Sequence, residues 1–444
     1  MVLGACLLAP AVAQAGVEQG PRAVFGPSAP QTVTARPTGW LQVSTAPARR
    51  ASDSVGINLD TWSKSGAYTP DRWPNLMQAL RGSGISRARV DVHLVSGDWG
   101  TQRQMEMGKA GFKLDVQLGD AFGRYSAGPL DRVYEVFRTK LLPYAEAVEG
   151  TNEPDLAGPA DWGLTALAHQ RSLVAALGAT PGADRLAVYG PSTARPANQR
   201  WYGSLSGLAD YANAHAYSGG RYGALGFDMF VPPAQQLLPG GATVVTETGV
   251  HTSTDGTYSQ PGVSEAVAAR YAPKGLLEAF RRGIPRTYLF DLVDRFDDPD
   301  KKRVEAHFGL LRTDGTPKPA YGAVRRLMAE LRDPKGDVKL ATAPVAVKPK
   351  GKLPDDVRII ALRHSDGSLV LALWRERSLW DTAKVEPIGA PTTKVHLDLG
   401  ERYLVGRVRT IAGGRTSWQL PFLTGLDLRV SDDVTVVRLS TRLR

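Results

Sequence analysis

Cysteine is nearly absent from this chain of 444 residues. The single cysteine, Cys6, lies in an apolar run at the N-terminus, so a chain processed after that run has no thiol. Neither a disulfide nor a thiolate metal site is then expected. The seven histidines form no His-rich tract, and no zinc site is predicted.

Long apolar runs are also lacking. After the N-terminal run, no stretch approaches the ~20 apolar residues that a transmembrane helix requires, so no transmembrane segment is predicted. With 42% hydrophobic and 22% charged residues, the composition is that of an ordinary globular protein. This excludes a collagen-like or wholly disordered chain.

Acidic residues are outnumbered, because 54 Lys and Arg stand against 44 Asp and Glu, a net charge of +10. Residues 334–444 hold 19 Lys and Arg and 12 Asp and Glu, which places +7 there and +3 in the rest. These charges form no dense run and accompany no recognition motif, so nucleic acid is not predicted as a partner. Association of the C-terminal region with an acidic cell-wall polymer remains open.

The N-terminal run resembles a secretion signal. Residues 2–15 are apolar and end in Ala-Gln-Ala at 13–15, the small-residue pattern of signal peptidase sites. We therefore expect a signal peptide at 1–15 and a secreted or extracytoplasmic protein. Leu-Gly-Ala-Cys at 3–6 resembles a lipoprotein box, so lipid anchoring at Cys6 is the alternative. Secretion is favoured because the apolar run continues past Cys6 to its own cleavage-like site.

After the N-terminal run, the chain has a polar segment followed by alternating strand and helix patterns. Residues 16–52 are rich in Pro, Gly, Ser and Thr and are expected to form a loosely ordered lead-in, with one strand near 40–43. Residues 53–333 then predict eight strands, at 55–59, 87–92, 113–118, 147–150, 186–189, 211–214, 243–246 and 287–290. Amphipathic helices are predicted between them, at 71–82, 130–144, 162–177, 264–282 and 320–331.

Eight such units match a (β/α)₈ barrel, whose site lies at the C-terminal strand ends. An open doubly wound sheet is less favoured, because no glycine-rich phosphate loop follows the first strand. Residues 334–444 show alternating runs between turns, at 357–362, 369–374, 394–399, 404–410 and 434–439. They predict an antiparallel β-sandwich domain, with 341–353 as a linker or an exposed loop.

Two predicted strand ends carry a carboxylate. Glu153 follows the fourth strand and Glu247 ends the seventh, so the two face each other across the barrel mouth. Hydrolysis of a glycosidic bond needs one carboxylic acid to protonate the leaving oxygen and a second carboxylate near the anomeric carbon. The pair is therefore the minimal equipment for that reaction.

These residues resemble the retaining glycoside hydrolases of clan A, which includes families 5, 10 and 39. The string Asn152-Glu153-Pro154 and Glu247 carry the resemblance, together with a block at 308–321 that resembles the loop into the last barrel helix. It implies that Glu153 is the acid/base, that Glu247 is the nucleophile, and that Asn152 binds the sugar 2-hydroxyl. The carboxyl groups of Glu153 and Glu247 should then lie about 5–5.5 Å apart.

The resemblance also assigns the residues around the nucleophile. Arg89, at the end of strand two, matches the arginine that keeps the nucleophile ionised, although Arg87 competes for this role. His215 and Tyr217 match a His-x-Tyr pair that orients the nucleophile and the substrate. An outward ion pair for Arg89, and a core position for His215 or Tyr217, are the structural alternatives.

Aromatic residues in the predicted loops are candidate sugar-stacking platforms, with packing between helices as the alternative. They are Trp62, Trp99, Trp162 and Trp201. Three tryptophans of the β domain are expected in its core: Trp374, Trp380 and Trp418. The clan often has a tryptophan at the end of strand eight, but here Phe290 substitutes, or Asp291 or Asp294 binds the sugar.

Retaining hydrolysis requires no cofactor, and none is expected. The acidic loop at 294–300 is interpreted as solvated rather than as a calcium site, because it lacks EF-hand spacing. The sequence thus predicts a secreted retaining glycoside hydrolase that acts on a polysaccharide or oligosaccharide. A non-catalytic carbohydrate-binding or cell-wall-attached protein on the same barrel is the alternative, and a transglycosylase would use the same residues.

Overall fold

The computed structural model describes residues 29–94, 98–119, 130–156, 158, 160–254, 260–336, 343–389, 391–419 and 423–440. The predicted signal peptide at 1–15, including Cys6, lies outside these residues.

The segment before the barrel contains the strand expected near 40–43, but its described part is more ordered than the lead-in expected at 16–52. It contains the strands β1 (Val33–Ala35), β2 (Leu41–Val43) and β3 (Thr45–Pro47) and the helix α1 (Ala48–Asp53). β1 pairs with β2, while β2 and β3 also pair with strands near the C-terminus of the chain. Hydrogen bonds to distant strands therefore order a segment whose composition alone suggests a loop.

Eight parallel strands close into a barrel, which confirms the predicted fold class. They are β4 (Val55–Asn58), β5 (Arg87–Asp91), β6 (Lys113–Gln117), β7 (Ala145–Glu149), β8 (Ala187–Tyr189), β9 (Tyr211–His215), β10 (Ala242–Thr248) and β11 (Thr287–Leu289). They follow chain order around the barrel, and β11 pairs with β4. This order brings the ends of β7 and β10 to one mouth.

Bulky side chains fill the interior of the barrel. Tyr288 lies in β11 opposite Gly56 in β4, and a Cβ atom at Gly56 would lie 2.2 Å from the Tyr288 ring. Glycine is therefore required at this position. The interior is a packed core, so a ligand can enter only above it, at the C-terminal strand ends.

Helices surround the barrel. They are α2 (Trp73–Ser83), α3 (Trp99–Lys109), α4 (Leu130–Val136), α5 (Trp162–Gly178), α6 (Gly223–Leu237), α7 (Glu265–Arg281) and α8 (Pro319–Leu331). The sequence pattern does not predict α3 or α6. α3 buries Arg103 and Gln104 where an apolar stripe would be expected, and α6 contains Pro232 and Pro233.

The C-terminal region forms two large sheets, as the sandwich prediction requires, and a separate sheet of two short strands. Its own strands pair antiparallel, while β3 of the N-terminal segment joins one of the large sheets in a parallel pairing. The C-terminal strands are β12 (Val345–Pro349), β13 (Val357–Arg363), β14 (Leu369–Arg375), β15 (Trp380–Asp381), β16 (Glu386–Pro387), β17 (Thr393–Tyr403), β18 (Val405–Thr410), β19 (Thr416–Gln419), β20 (Leu423–Val430) and β21 (Thr435–Ser440). One large sheet has the order β1-β2-β12-β17-β20 and the other β19-β18-β21-β14-β13-β3.

Two expectations for this region are wrong. β12 lies inside the stretch 341–353 expected as a linker or loop, and its Val345 and Val347 are buried between the two sheets. Trp418, expected in the core, is 62% exposed on β19, whereas Trp374 and Trp380 are buried. β19 is the edge strand of its sheet, so among the described residues it has a neighbouring strand on one side only.

The barrel and the sandwich share one apolar cluster. It joins Leu327 and Leu331 of α8 to Ile360 of β13 and Trp374 of β14. The two parts therefore pack against each other directly. No helix in the described part of the chain is long and apolar enough to span a bilayer.

Candidate active site

Glu153 and Glu247 line one cavity of about 420 Å³ at the mouth of the barrel. Glu153 follows β7, and Glu247 lies near the end of β10. One oxygen from each carboxylate and a ring nitrogen of His215 all lie within 4.8 Å of one another. The structure thus brings together the two carboxylates that the sequence placed on opposite strands.

Glu247 is held at both carboxylate oxygens. Arg89 donates to Oε1 at 2.6 Å, and the Tyr217 hydroxyl donates to Oε2 at 2.7 Å. His215 Nδ1 lies 3.4 Å from Oε2. Burial by itself raises the pKa of Glu247, but His215, Arg89 and the two hydrogen bonds outweigh it, and the pKa is lowered. The carboxylate is therefore ionised and fixed in direction.

Arg89 is buried and turned into the barrel. Besides Glu247, it donates to both oxygens of Glu149, at 2.6 and 2.8 Å, and to Asn58 Oδ1 at 2.9 Å. It also donates to Asn152 Oδ1 at 2.8 Å, which fixes the orientation of that amide beside the cavity. The outward ion pair considered for Arg89 does not form.

Arg87, the competing arginine, points to another set of partners. It pairs with Asp53 at 3.0 Å and with Glu146 at 2.8 Å. Neither acid lines the cavity, and Arg87 does not line it either. The candidate site therefore contains Arg89 and not Arg87.

The Glu153 backbone adopts a positive φ of 42°. This left-handed conformation is uncommon for a residue with a side chain, and such residues are frequent at functional sites. The Glu153 amide donates to Ser192 Oγ at 3.3 Å, and its carboxylate Oε1 lies 2.7 Å from His215 Nδ1. The turn therefore directs the carboxylate toward Glu247.

His215 is buried between the two carboxylates. The Thr246 hydroxyl donates to Asn213 Oδ1 at 2.8 Å, so it accepts a hydrogen bond from His215 Nε2 at 3.1 Å. The remaining contact, from Nδ1 to Glu153, then holds one proton that either group can carry. Burial lowers the pKa of His215, but Glu247 and Glu153 outweigh it and raise the pKa.

The predicted aromatic platforms occupy different places. Trp62 lines the cavity and stacks on His93, with ring centroids 4.6 Å apart. Trp99 does not line it, because its ring lies 4.0 Å from the Arg103 guanidinium and its indole nitrogen donates to the Ser63 carbonyl. Trp162 packs edge-on against Tyr202.

The end of β11 presents Phe290 to the cavity, in the place of the expected tryptophan. Asp291, the predicted alternative, is buried behind it, 3.4 Å from Arg295, and does not line the cavity. Burial raises the pKa of Asp291 well above its ordinary value. Asp294, the other predicted alternative, pairs with the Lys318 ammonium at 2.7 Å and does not line the cavity either.

Several residues of the site escape prediction from the sequence. The polar ones among them that line the cavity are Asn58, Asp60, Asp91, Gln117, Arg195, Gln260, Arg295 and Glu305. Asp60 pairs with Arg295 at 2.7 Å. Glu149 lies beneath the cavity and is fully buried. One feature of the sequence points to Glu149: it is a charged residue within a strand that is predicted to be buried.

Glu153, His215 and Glu247 also have the donor atoms that a metal ion could use. The surrounding charges oppose this. The Arg89 guanidinium already occupies Glu247 Oε1, and the raised pKa of His215 favours the protonated ring, which cannot bind a metal. The arrangement fits an acid–base pair better than a cation site.

Two solved structures share this architecture at low sequence identity. A family 39 glycoside hydrolase from the gut symbiont Bacteroides cellulosilyticus WH2 aligns with a TM-score of 0.60 and 14% identity, over 90% of this chain and 88% of its own. A glucosidase from Croceicoccus marinus aligns with a TM-score of 0.57 and 10% identity, over 90% and 98%. No protein-family model and no curated protein matches the sequence. The chain therefore has the fold of a family 39 glycoside hydrolase.

Proposed function

We propose that this chain is a retaining glycoside hydrolase, with Glu153 as acid/base and Glu247 as nucleophile. The observation that carries the proposal is the approach of their carboxylate oxygens to within 4.8 Å across a sugar-sized cavity. This separation leaves no room for a water between sugar and base, as an inverting enzyme needs, and suits direct attack by a carboxylate.

The reaction then proceeds in two displacements. Glu153 protonates the glycosidic oxygen while Glu247 attacks the anomeric carbon, so the bond to the leaving group breaks and a glycosyl ester forms on Glu247. Glu153, now ionised, removes a proton from water as that water attacks the same carbon. The ester breaks, Glu247 is released as a carboxylate, and the anomeric configuration is retained.

The neighbouring residues support this division of roles. Arg89 and Tyr217 stabilise negative charge on Glu247, which a nucleophile must carry. His215 shares a proton with Glu153, which must alternate between acid and base. The hydrogen bond from Arg89 that orients the Asn152 amide supports the assignment of Asn152 to the sugar 2-hydroxyl.

Two further parts of the proposal concern export and the class of substrate. We infer that the protein is exported, because residues 1–15 have the pattern of a cleaved signal. The substrate is a polysaccharide or an oligosaccharide, since the cavity lies at an open barrel mouth and contains polar groups with aromatic neighbours.

The test uses Glu247→Ala, Glu153→Ala and the matched control Glu386→Gln, whose carboxylate is 58% exposed in the sandwich. On the aryl glycoside that the wild type hydrolyses best, Glu247→Ala should lower kcat about 10⁴-fold or more, an order of magnitude expected for loss of a nucleophile. Azide should restore turnover of Glu247→Ala with inverted configuration. For Glu153→Ala it should restore turnover with retained configuration.

The control should keep wild-type turnover. Wild-type activity in Glu247→Ala, or NMR spectra in which the wild type forms the inverted anomer first, would refute the proposal. Glycan binding without release of reducing ends by the wild type would instead support the alternative of a non-catalytic carbohydrate-binding protein.

A further inference from the structure

The side of the cavity next to Glu153 has an exposed rim with an apolar and cationic character. Leu156, 51% exposed, and Arg195 line the cavity together with Glu153. Arg200 and Trp201 follow on the 3₁₀ helix Pro196–Tyr202, and Trp201 is 60% exposed. We call Leu156, Arg195, Arg200 and Trp201 the leaving-group rim.

The helix that carries Trp201 is attached to the turn that carries Glu153. Asp155 accepts hydrogen bonds from the Ala194 and Arg195 amides, at 2.9 and 3.1 Å, and from the Asn198 side chain at 2.9 Å. Side chains three residues apart lie on the same face of a 3₁₀ helix. Trp201 therefore shares the face of Asn198, about 6 Å farther along the axis.

A second attachment lies at the end of the same helix. The Tyr202 hydroxyl donates to the Ser192 carbonyl at 2.8 Å, and the Ser192 hydroxyl accepts from the Glu153 amide at 3.3 Å. The rim is therefore fixed relative to Glu153 at both ends of the helix. Its position depends on the same hydrogen bonds as the position of the acid/base.

Close backbone packing also holds Trp201 while its ring remains exposed. A Cβ atom at Gly163, in the first turn of α5, would lie 3.0 Å from the Trp201 carbonyl oxygen. The helix rests directly on α5 because position 163 has no side chain. A large aromatic ring that is exposed on a rigid support offers an apolar face on which a sugar ring can stack.

The rim also offers hydrogen-bond donors. The Arg200 guanidinium lies 5.5 Å from the Trp201 ring centroid, and neither Arg195 nor Arg200 has a carboxylate within 4.0 Å among the described residues. Within the part of the chain that the structure describes, the Arg195 side chain makes one hydrogen bond, at 3.4 Å to the Asp155 carbonyl. Guanidinium groups without an acidic partner can donate to sugar oxygens.

We propose that the leaving-group rim binds the departing chain of a polymeric substrate, with Trp201 stacked on a sugar ring beyond the one that accepts the proton from Glu153. The inference rests on the proposed function, because an acid/base protonates the oxygen of the leaving group and so defines that side of the cavity. It identifies the substrate as a polysaccharide or a long oligosaccharide. Because Trp201 does not itself line the cavity, a sugar stacked on its ring lies beyond the unit that occupies the cavity.

The test compares two substrates in the same enzyme. One is the polysaccharide that the wild type cleaves fastest in a panel of neutral and acidic glycans, and the other is the 4-nitrophenyl glycoside of its glycone sugar. Trp201→Ala should lower kcat/KM on the polysaccharide about ten-fold, the factor that corresponds to ~1.4 kcal/mol. On the nitrophenyl glycoside kcat/KM should stay within about two-fold, because a surface substitution leaves the fold intact.

Trp418→Ala is the matched control, because Trp418 is 62% exposed and lies in the sandwich. Trp418→Ala should leave kcat/KM unchanged on both substrates. Arg200→Gln, at a rim residue that does not line the cavity, gives a second, independent variant with the same expected selectivity for the polysaccharide. Equal losses on both substrates, or no loss on the polysaccharide, would overturn the inference. A wild type that cleaves neither substrate would count against the proposed function instead.

Discussion

Tyr217 and His215 show how single side chains set the state of the two carboxylates. Each contacts Glu247, and His215 also contacts Glu153 at 2.7 Å. One tyrosine hydrogen bond and one shared proton therefore separate the roles of two chemically identical groups.

Tyr217→Phe removes the hydrogen bond to Glu247 Oε2 and keeps the ring. That bond lowers the pKa of Glu247, so its loss should raise the pKa. The acidic limb of kcat/KM against pH, which reports ionisation of the nucleophile, should move to higher pH by about 0.5–1 unit, as expected for a bond of ~1 kcal/mol. The rate at the optimum should fall roughly ten-fold.

Tyr403→Phe is the control, since Tyr403 also donates to a glutamate, Glu401, but in the sandwich. Its pH profile should match the wild type. An unchanged acidic limb in Tyr217→Phe would show that Tyr217 does not affect the ionisation of Glu247.

Asp115 in β6 is fully buried beneath the site, and neither of its carboxylate oxygens has a hydrogen-bond partner among the described residues. Burial first, and then the neighbouring Glu149, raise the pKa of Asp115 well above its ordinary value, although Arg89 lowers it. The pKa of Asp115 is higher in the folded protein than in the unfolded chain, so its protonation stabilises the fold. This contribution is complete below about pH 4, the ordinary pKa of an aspartate in an unfolded chain. This contribution is lost as the pH rises through the raised pKa.

Asp115→Asn removes the titrating charge, so its stability relative to the wild type should increase between pH 5 and pH 8, by about 1 kcal/mol or more. Thermal melting at both pH values measures the difference. Asp355→Asn, at a side chain 90% exposed, should show no such trend. A difference between Asp115→Asn and wild type that does not depend on pH would indicate that Asp115 does not titrate in this range.

At the scale of elements, α8 and β18 are joined by an ion pair network. Glu330 of α8 is 1% exposed and binds both Arg407 and Arg409 of β18, the latter at 3.2 Å. The two arginine side chains are 28% and 27% exposed, so water can partly rehydrate them when the acid is removed. The network therefore links the barrel to the sandwich, and its loss should destabilise the fold less than the loss of a fully buried ion pair.

Glu330→Gln should lower the free energy of unfolding by about 1–3 kcal/mol, less than the 3–5 kcal/mol of a fully buried pair. Urea denaturation measures this loss. Glu135→Gln is the matched control, because Glu135 also pairs with an arginine, Arg138, but both side chains are more than half exposed. Its effect should stay within about 0.5 kcal/mol. Equal effects would mean that burial does not strengthen the Glu330 network.

At the scale of the whole molecule, the shared apolar cluster joins the two parts of the fold. Residues of α1 and α8 pack in it with residues of the sheet that includes β13, β14 and β21. Separation of the two parts would expose this cluster to water, which is unfavourable in proportion to the apolar area. The N-terminal strands β2 and β3 add hydrogen bonds between the start and the end of the chain.

We therefore expect the barrel and the sandwich to unfold in one calorimetric transition. Glu330→Gln should shift this transition to lower temperature and leave it single. Two resolved transitions in the wild type would show that the shared cluster does not couple the parts. Truncation after residue 333 would expose the apolar residues of α8 to water. Loss of activity in the truncated protein would therefore not show that the sandwich has a function of its own.

Local patterns in the sequence predict much of this fold. Strand and helix periodicity indicate all eight barrel strands, and the two glutamates follow from their positions at strand ends. α3 is not predicted because it buries polar side chains, and β3 is not predicted because its partner β13 lies some 300 residues away. Interactions with distant partners leave no local periodic pattern.

The sequence by itself determined the barrel, the sandwich and the pair Glu153 and Glu247. Only the tertiary structure decided between Arg87 and Arg89, and showed that Trp62 lines the cavity whereas Trp99 does not. Arg87 and Arg89 are two positions apart, so strand alternation gives them the same face and cannot tell their depth in the barrel. Depth depends on the stagger between strands, which arises only when the barrel closes.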